Sequence, residues 1–549
     1  MKKTSFLIPL SYLLFSALYT WPAVCLSPTI LPSRHFDLYP ALWLIQEAPF
    51  PRLFHDYSAW PYGESLARID SYVLLWLGWL NHGLLSALQV ADLLMWLGPA
   101  CNAVAAEFCA HRALGIARPY SWLAGLSFGF SGITAVALLE GHVYHLLNPW
   151  LPLLLAALWV GTSPQGRPWH GLAAGLAWAL CQFTTAYLGI CGAFLMVGLL
   201  VRAPRASLRL LPGLLLSAGP AAGYYLWLFS QGGGWKDNAP TTQILQTGAS
   251  TLGSLLYAAP AIDLGGHSIA APLSWLSFWG WALAPWVLRG QPGWRGLWTL
   301  SFLALLGSFG AYFRMVPGGA GVASPLAWMA LWMPGIAFFR FPIRLLWLYQ
   351  LLAGVLASRV LAARWRSGRW WMGMALLDVL ASTGMPGRQA QGIAGLPSAY
   401  LAAPETGAVL DLFGEALDPS SGELEMRARA LGCYYQSQHH RPIPEVCIGT
   451  AIQSPREFLS RRLMRQLSAG DPKSMLNQLE SVGIGSIALH LDTLRPADAK
   501  ILQAGLELVL GPPVAETKDA GERLQIFSLS SVHNDVFQYR QNMKSLEER

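Results

Sequence analysis

The sequence predicts a polytopic α-helical membrane protein of about eleven transmembrane helices, followed by a small soluble α/β domain at its C-terminal end. Three observations carry this. The chain is 54% hydrophobic and only 12% charged, roughly half the charged share of an ordinary soluble protein. Its apolar residues fall in blocks of about 17–25 from Ser5 to near Ser382, each long enough to cross a hydrocarbon core. The charge also divides, because residues 397–549 hold 19 of the 30 acids but only 15 of the 37 Lys and Arg. The positive excess thus belongs to the apolar part, where it marks loops held on the cytoplasmic side. It gives no reason to expect nucleic acid as a partner.

Taken in order, Lys2 and Lys3 precede an apolar run to Val24 with no clear cleavage site, which reads as an uncleaved first helix with its N-terminus inside. Residues 27–70 form an outer loop, and Ser71–Leu80 is too short to span and suits the outer interface. Spans follow near 85–111, 119–139 and 143–161, with Glu140-Gly141-His142 at the outer tip of a hairpin. Further spans are expected near 169–184, 186–202, 210–229, 272–288, 296–313, 343–361 and 370–382. Lys and Arg then gather inside, most acids of this part fall outside, and the tail lies on the extracytoplasmic face. The domain plan is 1–384 for the membrane body, 385–396 for a linker, 397–530 for the α/β domain and 531–549 for a polar end.

Within the α/β domain, Ala408–Leu412, Glu445–Gly449, Ile484–Leu489, Leu506–Leu510 and Leu524–Phe527 read as short strands bounded by Gly, Pro or Asp. Helices are expected to open at Ser454-Pro455 and at Asp471-Pro472. Five of the seven cysteines lie in or beside apolar segments, where Cys is usually a packing residue. The other two, Cys433 and Cys447, fall in the tail. Outside the cytoplasm they could pair as a disulfide, and otherwise they are two packed thiols.

The stretch Ser33-Arg34-His35-Phe36-Asp37-Leu38-Tyr39-Pro40-Ala41-Leu42-Trp43 sets an acid and a histidine at the membrane surface. Phe36, Tyr39 and Trp43 fall at helical spacing, the face an interfacial helix buries. Asp37 is then at or near the cap of that helix. A rigidly held carboxylate can also serve as a general base toward a hydroxyl. In Phe339-Arg340-Phe341-Pro342-Ile343-Arg344, two arginines four apart stand at the outer mouth of a span and suit a lipid phosphate. Ordinary snorkelling arginines would look the same. Glu140, His142 and His145, with Asn148-Pro149-Trp150 after them, form a second outer cluster. They fit a pocket lining, a proton relay or headgroup-level side chains better than a metal site. Inside the spans, Asp92, Glu107 and Asp378 are costly unless paired.

The acid in the first outer loop, the many spans and the soluble C-terminal domain together resemble the GT-C class of membrane glycosyltransferases. Pro61-Tyr62-Gly63-Glu64-Ser65-Leu66 and Gly141-His142 with Trp150-Leu151-Pro152-Leu153 resemble stretches of the bacterial YfhO-like members. So do Arg340-Phe341-Pro342-Ile343-Arg344 and Tyr434-Tyr435-Gln436 with His440-Arg441-Pro442. The resemblance implies a polyprenyl-phosphate-linked sugar donor and chemistry on the extracytoplasmic face of a bacterial inner membrane. Asp37 would be catalytic, Arg340 and Arg344 would bind the donor phosphate, and His35, Glu140, His142 and His145 would line the outer pocket. Many GT-C enzymes carry an adjacent acidic pair in the first loop. Here Asp37 stands alone, which disfavours a divalent metal and leaves no cofactor firmly implied. The competing expectations are a non-catalytic subunit of an envelope complex, and a lipid or solute transporter working through Asp92 and Glu107.

Overall fold

The computed structural model describes residues 4–27, 30–31, 38–47, 54–55, 64–65, 71–81, 83–230, 249–252, 255, 261–262, 268–315, 321–332, 342–365, 368–384, 386, 391–392, 396–402, 407–413, 422–444, 447, 459–460, 462–463, 466–467, 473–518 and 523–529. The chain divides into two compact units. One joins Met1–Leu38, Asp70–Leu77 and Leu88–Gln391, and the other joins Tyr39–Ile69, Gly78–Ala87 and Gly392–Arg549.

Among the described residues, the long apolar runs of the first unit are helical. Helices Thr4–Tyr19, Ala87–Phe108, Arg118–Gly129 with Gly132–Leu139, Trp150–Gly161, Trp169–Thr184 and Ala186–Arg202 occupy the first six expected segments. Pro204–Ser230, Trp275–Val287, Pro292–Ser308, Leu346–Arg364 and Gly368–Thr383 occupy the rest. Among the described residues, Ala87–Ala113, Arg118–Leu139, Val143–Gly161 and Pro342–Arg364 are each long and apolar enough to cross a membrane. Ile8–Tyr19, Tyr72–Asn81 and Ala186–Arg202 are shorter apolar helices.

Leu346–Arg364 is the central helix. Every residue from Leu346 to Ser358 is buried, which only a helix apolar around most of its circumference tolerates. It packs against Arg118–Gly129, Trp275–Val287 and Pro292–Ser308. Trp169–Thr184 meets Pro204–Ser230 through Gly171 and Gly175, a small-residue pair one turn apart. A Cβ on Gly171 would lie 2.1 Å from the Leu210 carbonyl oxygen, so the two backbones approach as closely as glycine allows.

The second unit holds a four-stranded sheet in the order 515–517, 524–528, 484–490, 408–412. Strand Ile484–His490 runs parallel to Ala408–Leu412, with Ala488 opposite Asp411, and antiparallel to Leu524–Ser528, with Ala488 opposite Ile526. Strands Ala408–Leu412 and Leu524–Ser528 are buried throughout, as strands covered on both faces are. Leu476, Leu479, Leu502 and Leu506 close the core from helices Lys473–Ser481 and Pro496–Leu510. Leu506–Leu510 is therefore helical, contrary to the strand expected there. The strand expected at Glu445–Gly449 and the helix start at Ser454-Pro455 lie, Cys447 apart, outside the described residues.

Helix Leu38–Glu47 forms where aromatic spacing predicts it, and from Tyr39 onward it belongs to the second unit. There it lies along helix Gly422–His439. Tyr39 packs on Tyr434 with ring centroids 5.1 Å apart, and the Gln46 amide donates to the Ser437 carbonyl at 2.7 Å. Cys433 and Cys447 are bonded as a disulfide with Cα atoms 5.6 Å apart, fixing the last turns of Gly422–His439 to the segment that follows.

Candidate functional site

Helix Gly132–Leu139 starts at Ser131, whose hydroxyl accepts from the Thr134 amide, and ends at Glu140. Gly141 then turns the chain with φ +71, a region that favours glycine. It is also pressed against Leu38, since a Cβ at Gly141 would stand 2.8 Å from the Leu38 Cβ and 3.0 Å from its backbone nitrogen. The next turn, Val143–Leu146, is 3-10 rather than α-helical and is clamped by Asn102. The Asn102 amide donates to the Leu146 carbonyl at 2.7 Å, and its oxygen accepts from the Asn148 backbone at 2.8 Å.

This scaffold fixes three side chains. Glu140 and His142 pair at 2.8 Å between Oε2 and Nδ1, and both are buried. His145, only 2% exposed, packs edge-on to His142 with ring centroids 5.2 Å apart. Among the described residues neither ring nitrogen of His145 has a hydrogen-bond partner. A fully buried imidazole without partners is costly, so a polar ligand there would be stabilised by it.

Tyr187, in the first turn of Ala186–Arg202, joins this cluster to Arg344. Its ring is 6.4 Å from the His145 ring, and the Arg344 guanidinium carbon stands 4.2 Å over its face. Arg344 sits in the 3-10 turn Pro342–Leu345 that feeds the central helix, and its carbonyl accepts from the Cys191 thiol at 3.7 Å. Glu140, His142, His145 and Arg344 are thus brought together. Asp37, His35 and Arg340 lie outside the described residues. Tyr187 and Asn102, which organise the cluster, carry no sequence signal beyond being polar-tipped residues in apolar runs.

The other acids within the spans, of which Asp378 is only partly buried, bond to the fold itself. Asp378 accepts from the Ser274 hydroxyl at 2.5 Å and from the Trp275 and Leu276 amides at 2.9 and 3.1 Å. It therefore holds the N-terminus of helix Trp275–Val287. Glu107 accepts from the Ser121 hydroxyl at 3.2 Å and lies 4.0 Å from Arg118. Asp92 is buried with one carboxylate oxygen unpartnered, while the Ser27 backbone bonds to the group. Among the described residues no three His, Cys, Asp or Glu side chains gather as a metal site would require.

No family model and no curated protein matches the sequence. Solved structures do resemble the fold. A single-substitution mutant of the arabinofuranosyltransferase AftD from Mycobacteria superposes with a TM-score of 0.62 at 16% identity, covering 97% of this chain and 42% of that one. AftD without the substitution gives 0.59 at 14% identity, covering 97% and 40%. The chain therefore shares its fold with a part of AftD. At these identities the likeness is one of fold, and the chain spans less than half the length of AftD. The archaeal oligosaccharyltransferase AglB from Archaeoglobus fulgidus aligns at a TM-score of 0.46 and 12% identity, over 88% of this chain and 69% of that one.

Proposed function

We propose that the chain is a multi-pass glycosyltransferase of about eleven spans that moves a sugar from a polyprenyl-phosphate-linked donor to an extracytoplasmic acceptor in the bacterial inner membrane. The acceptor hydroxyl oxygen bonds to the anomeric carbon, and the hydroxyl proton passes to Asp37. The bond from that carbon to the phosphate oxygen breaks, and the polyprenyl phosphate leaves with its charge matched by Arg344 and Arg340. Glu140 and His142 brace one wall, and His35 and His145 complete the pocket. No resident metal is part of this reading. Kinship with the YfhO-like members rests on the short motifs quoted above.

One observation carries the proposal: the Arg344 guanidinium and the His145 ring, which has no hydrogen-bond partner among the described residues, both adjoin the Tyr187 ring, in the same unit where Leu38, next in sequence to Asp37, packs on Gly141. A cation, an unsatisfied polar ring and the chain bearing an acid suit a ligand that carries both phosphate and hydroxyls. The fold shared with a part of AftD agrees with it.

The test is sugar transfer by the purified chain from a panel of polyprenyl-phosphate donors, beginning with an arabinofuranosyl donor because of the AftD likeness. Asp37→Asn is expected to lower kcat by about 10²–10⁴-fold, and Arg344→Gln by about 10²–10³-fold. Equal turnover in wild type and Asp37→Asn removes Asp37 from the mechanism. No transfer from any donor, with sugar lipids still bound, favours a non-catalytic subunit.

A further inference from the structure

A second cluster, separate from Arg344, gathers residues from five helices of the first unit, Trp150–Gly161, Ala186–Arg202, Trp275–Val287, Pro292–Ser308 and Leu346–Arg364. Arg202 ends helix Ala186–Arg202, and its guanidinium carbon lies 5.2 Å over the Trp159 ring. Trp159 meets Trp294 with ring centroids 5.5 Å apart, and the Arg359 guanidinium lies 5.5 Å over Trp294 in turn. Arg359 also donates to the Gln291 side-chain oxygen at 3.2 Å, while its buried Nε has no acceptor among the described residues. Beside this stack opens a cavity of about 540 Å³ whose polar and aromatic lining is Trp286, Arg289, Trp294, Arg295, Trp298 and Thr299. The Arg295 guanidinium donates to the Arg289 carbonyl at 2.5 Å, which holds its side chain across the turn.

The charge here is uncompensated. No Asp or Glu occurs between Gly141 and Lys236, or between Leu264 and Leu377, the stretches that supply all four arginines. Among the described residues none of the four forms an ion pair. A snorkelling arginine extends alone into water and needs no partner. Here two of the four are stacked on tryptophan faces and a third is tied to backbone, so like charges are held close together. That arrangement is repulsive until an anion enters it. The volume falls within the range of small-molecule sites, and a bare phosphate would leave most of it as water. Tryptophan faces beside arginines at a helix end suit a group that is apolar at one end and anionic at the other.

We propose that this cavity binds the phosphate headgroup of an anionic phospholipid. Arg289 and Arg295, which are exposed, bind the phosphate from the rim. Arg359 and Arg202 supply the fixed charge behind it, and Trp286 and Trp298 flank the glycerol region. The proposal does not rest on sugar transfer.

The test is native mass spectrometry of the full-length chain released from detergent, titrated with phosphatidylglycerol or phosphatidylcholine. Phosphatidylglycerol is expected to stay bound and phosphatidylcholine to leave. Arg289→Gln with Arg295→Gln should weaken the phosphatidylglycerol affinity by roughly thirtyfold, at about fivefold per charge. If the double variant does not fold, Arg289→Gln alone reads the same effect at about fivefold. Equal retention of both lipids by wild type, or of phosphatidylglycerol by wild type and a folded variant, overturns the proposal. Complete displacement of phosphatidylglycerol by millimolar inorganic phosphate also overturns it, because the site would then take free phosphate.

Discussion

The Trp43 indole donates to the Gln436 side-chain oxygen at 2.7 Å, joining residues 393 apart in the sequence. Both are buried, Trp43 and Gln436 each at 0% exposure. Removing one partner of such a pair leaves a dehydrated donor or acceptor, which costs about 1–3 kcal/mol. Gln436→Met is therefore expected to lower the thermal midpoint of the chain. Trp43→Phe alone loses packing as well as the donor. The double variant should cost less than the sum of the two, because no orphaned N–H remains. A double-mutant cycle by chemical denaturation checks this, and strict additivity would show that the bond contributes nothing.

Tyr187 gives a sharper test of the pocket than Arg344 itself. A guanidinium over a tyrosine face gains about 0.5–2 kcal/mol, most of it when the pair is shielded from water. Tyr187→Leu keeps the volume apolar and releases Arg344 from its position. In the transfer assay the expected result is a rise in KM of about three- to tenfold with a smaller change in kcat, the pattern of a positioning residue. Tyr187→Phe keeps the ring face and should restore near-normal KM. A Phe variant as poor as the Leu variant would assign the effect to the hydroxyl instead.

Much of the fold was legible because long apolar runs leave the backbone few choices other than helix. Gly141 was legible as a turn for the same kind of reason, since a glycine between two apolar runs marks a bend. The failures are equally physical. Leu506-Glu507-Leu508-Val509-Leu510 alternates like a strand, yet Ala499, Leu502, Leu506 and Leu510 are buried at helical spacing from a helix that starts at Pro496. A five-residue window saw the wrong period. Helix Gly422–His439 leaves little sign in the sequence, because its residues show little apolar periodicity. Gln436 falls in the stretch Tyr434-Tyr435-Gln436, but nothing local in the sequence says that its partner is Trp43. The cluster around Arg344 was legible as separate charged points. Tyr187, which joins His145 to Arg344, was not, because an aromatic residue in an apolar helix resembles core.

His439 makes the second unit sensitive to acid. Burial pushes its imidazole down to about 4, helped by the nearby Arg441 and His440 and opposed by Asp411. The Tyr400 ring stacks on it with centroids 5.0 Å apart, and its Nδ1 accepts from the Arg441 backbone at 3.0 Å. An unfolded histidine protonates near 6.5, about two units higher. Between those values the unfolded chain binds more protons, so stability is complete above about pH 6.5 and falls as pH drops toward 4. Urea midpoints read by fluorescence from about pH 7.5 to 4.5 should decline, and His439→Gln should flatten the decline. An unchanged slope in that variant would move the acid sensitivity to another group.

The Cys433–Cys447 bond closes a separation of 14 residues at the end of helix Gly422–His439. Closing a loop of that size stabilises the folded chain by about 3 kcal/mol through the entropy of the unfolded state. The helix it secures also carries Tyr434, Gln436 and Ser437, which hold helix Leu38–Glu47. Cys433→Ser with Cys447→Ser should therefore loosen both helices together. Hydrogen exchange is expected to speed up at 40–47 as well as at 430–439. Acceleration confined to 430–439 would mean the two helices open independently.

Asp378 separates a structural acid from a transporting one. Its carboxylate receives three hydrogen bonds at the start of helix Trp275–Val287, from a hydroxyl and two backbone amides. Asp378→Ala removes all three hydrogen bonds and the favourable charge at that helix end, a loss of about 1–3 kcal/mol. Asp378→Asn keeps one acceptor oxygen and should fall between wild type and alanine. Because the contacts are structural, sugar transfer per folded molecule should stay near the wild-type rate in both variants, while their thermal midpoints drop in that order. An acid that carried protons or solute through the bundle would behave the other way round, with stability kept or raised on neutralisation and proton-coupled uptake lost. Thermal melts run beside a pH-gradient flux assay in vesicles distinguish the two behaviours directly.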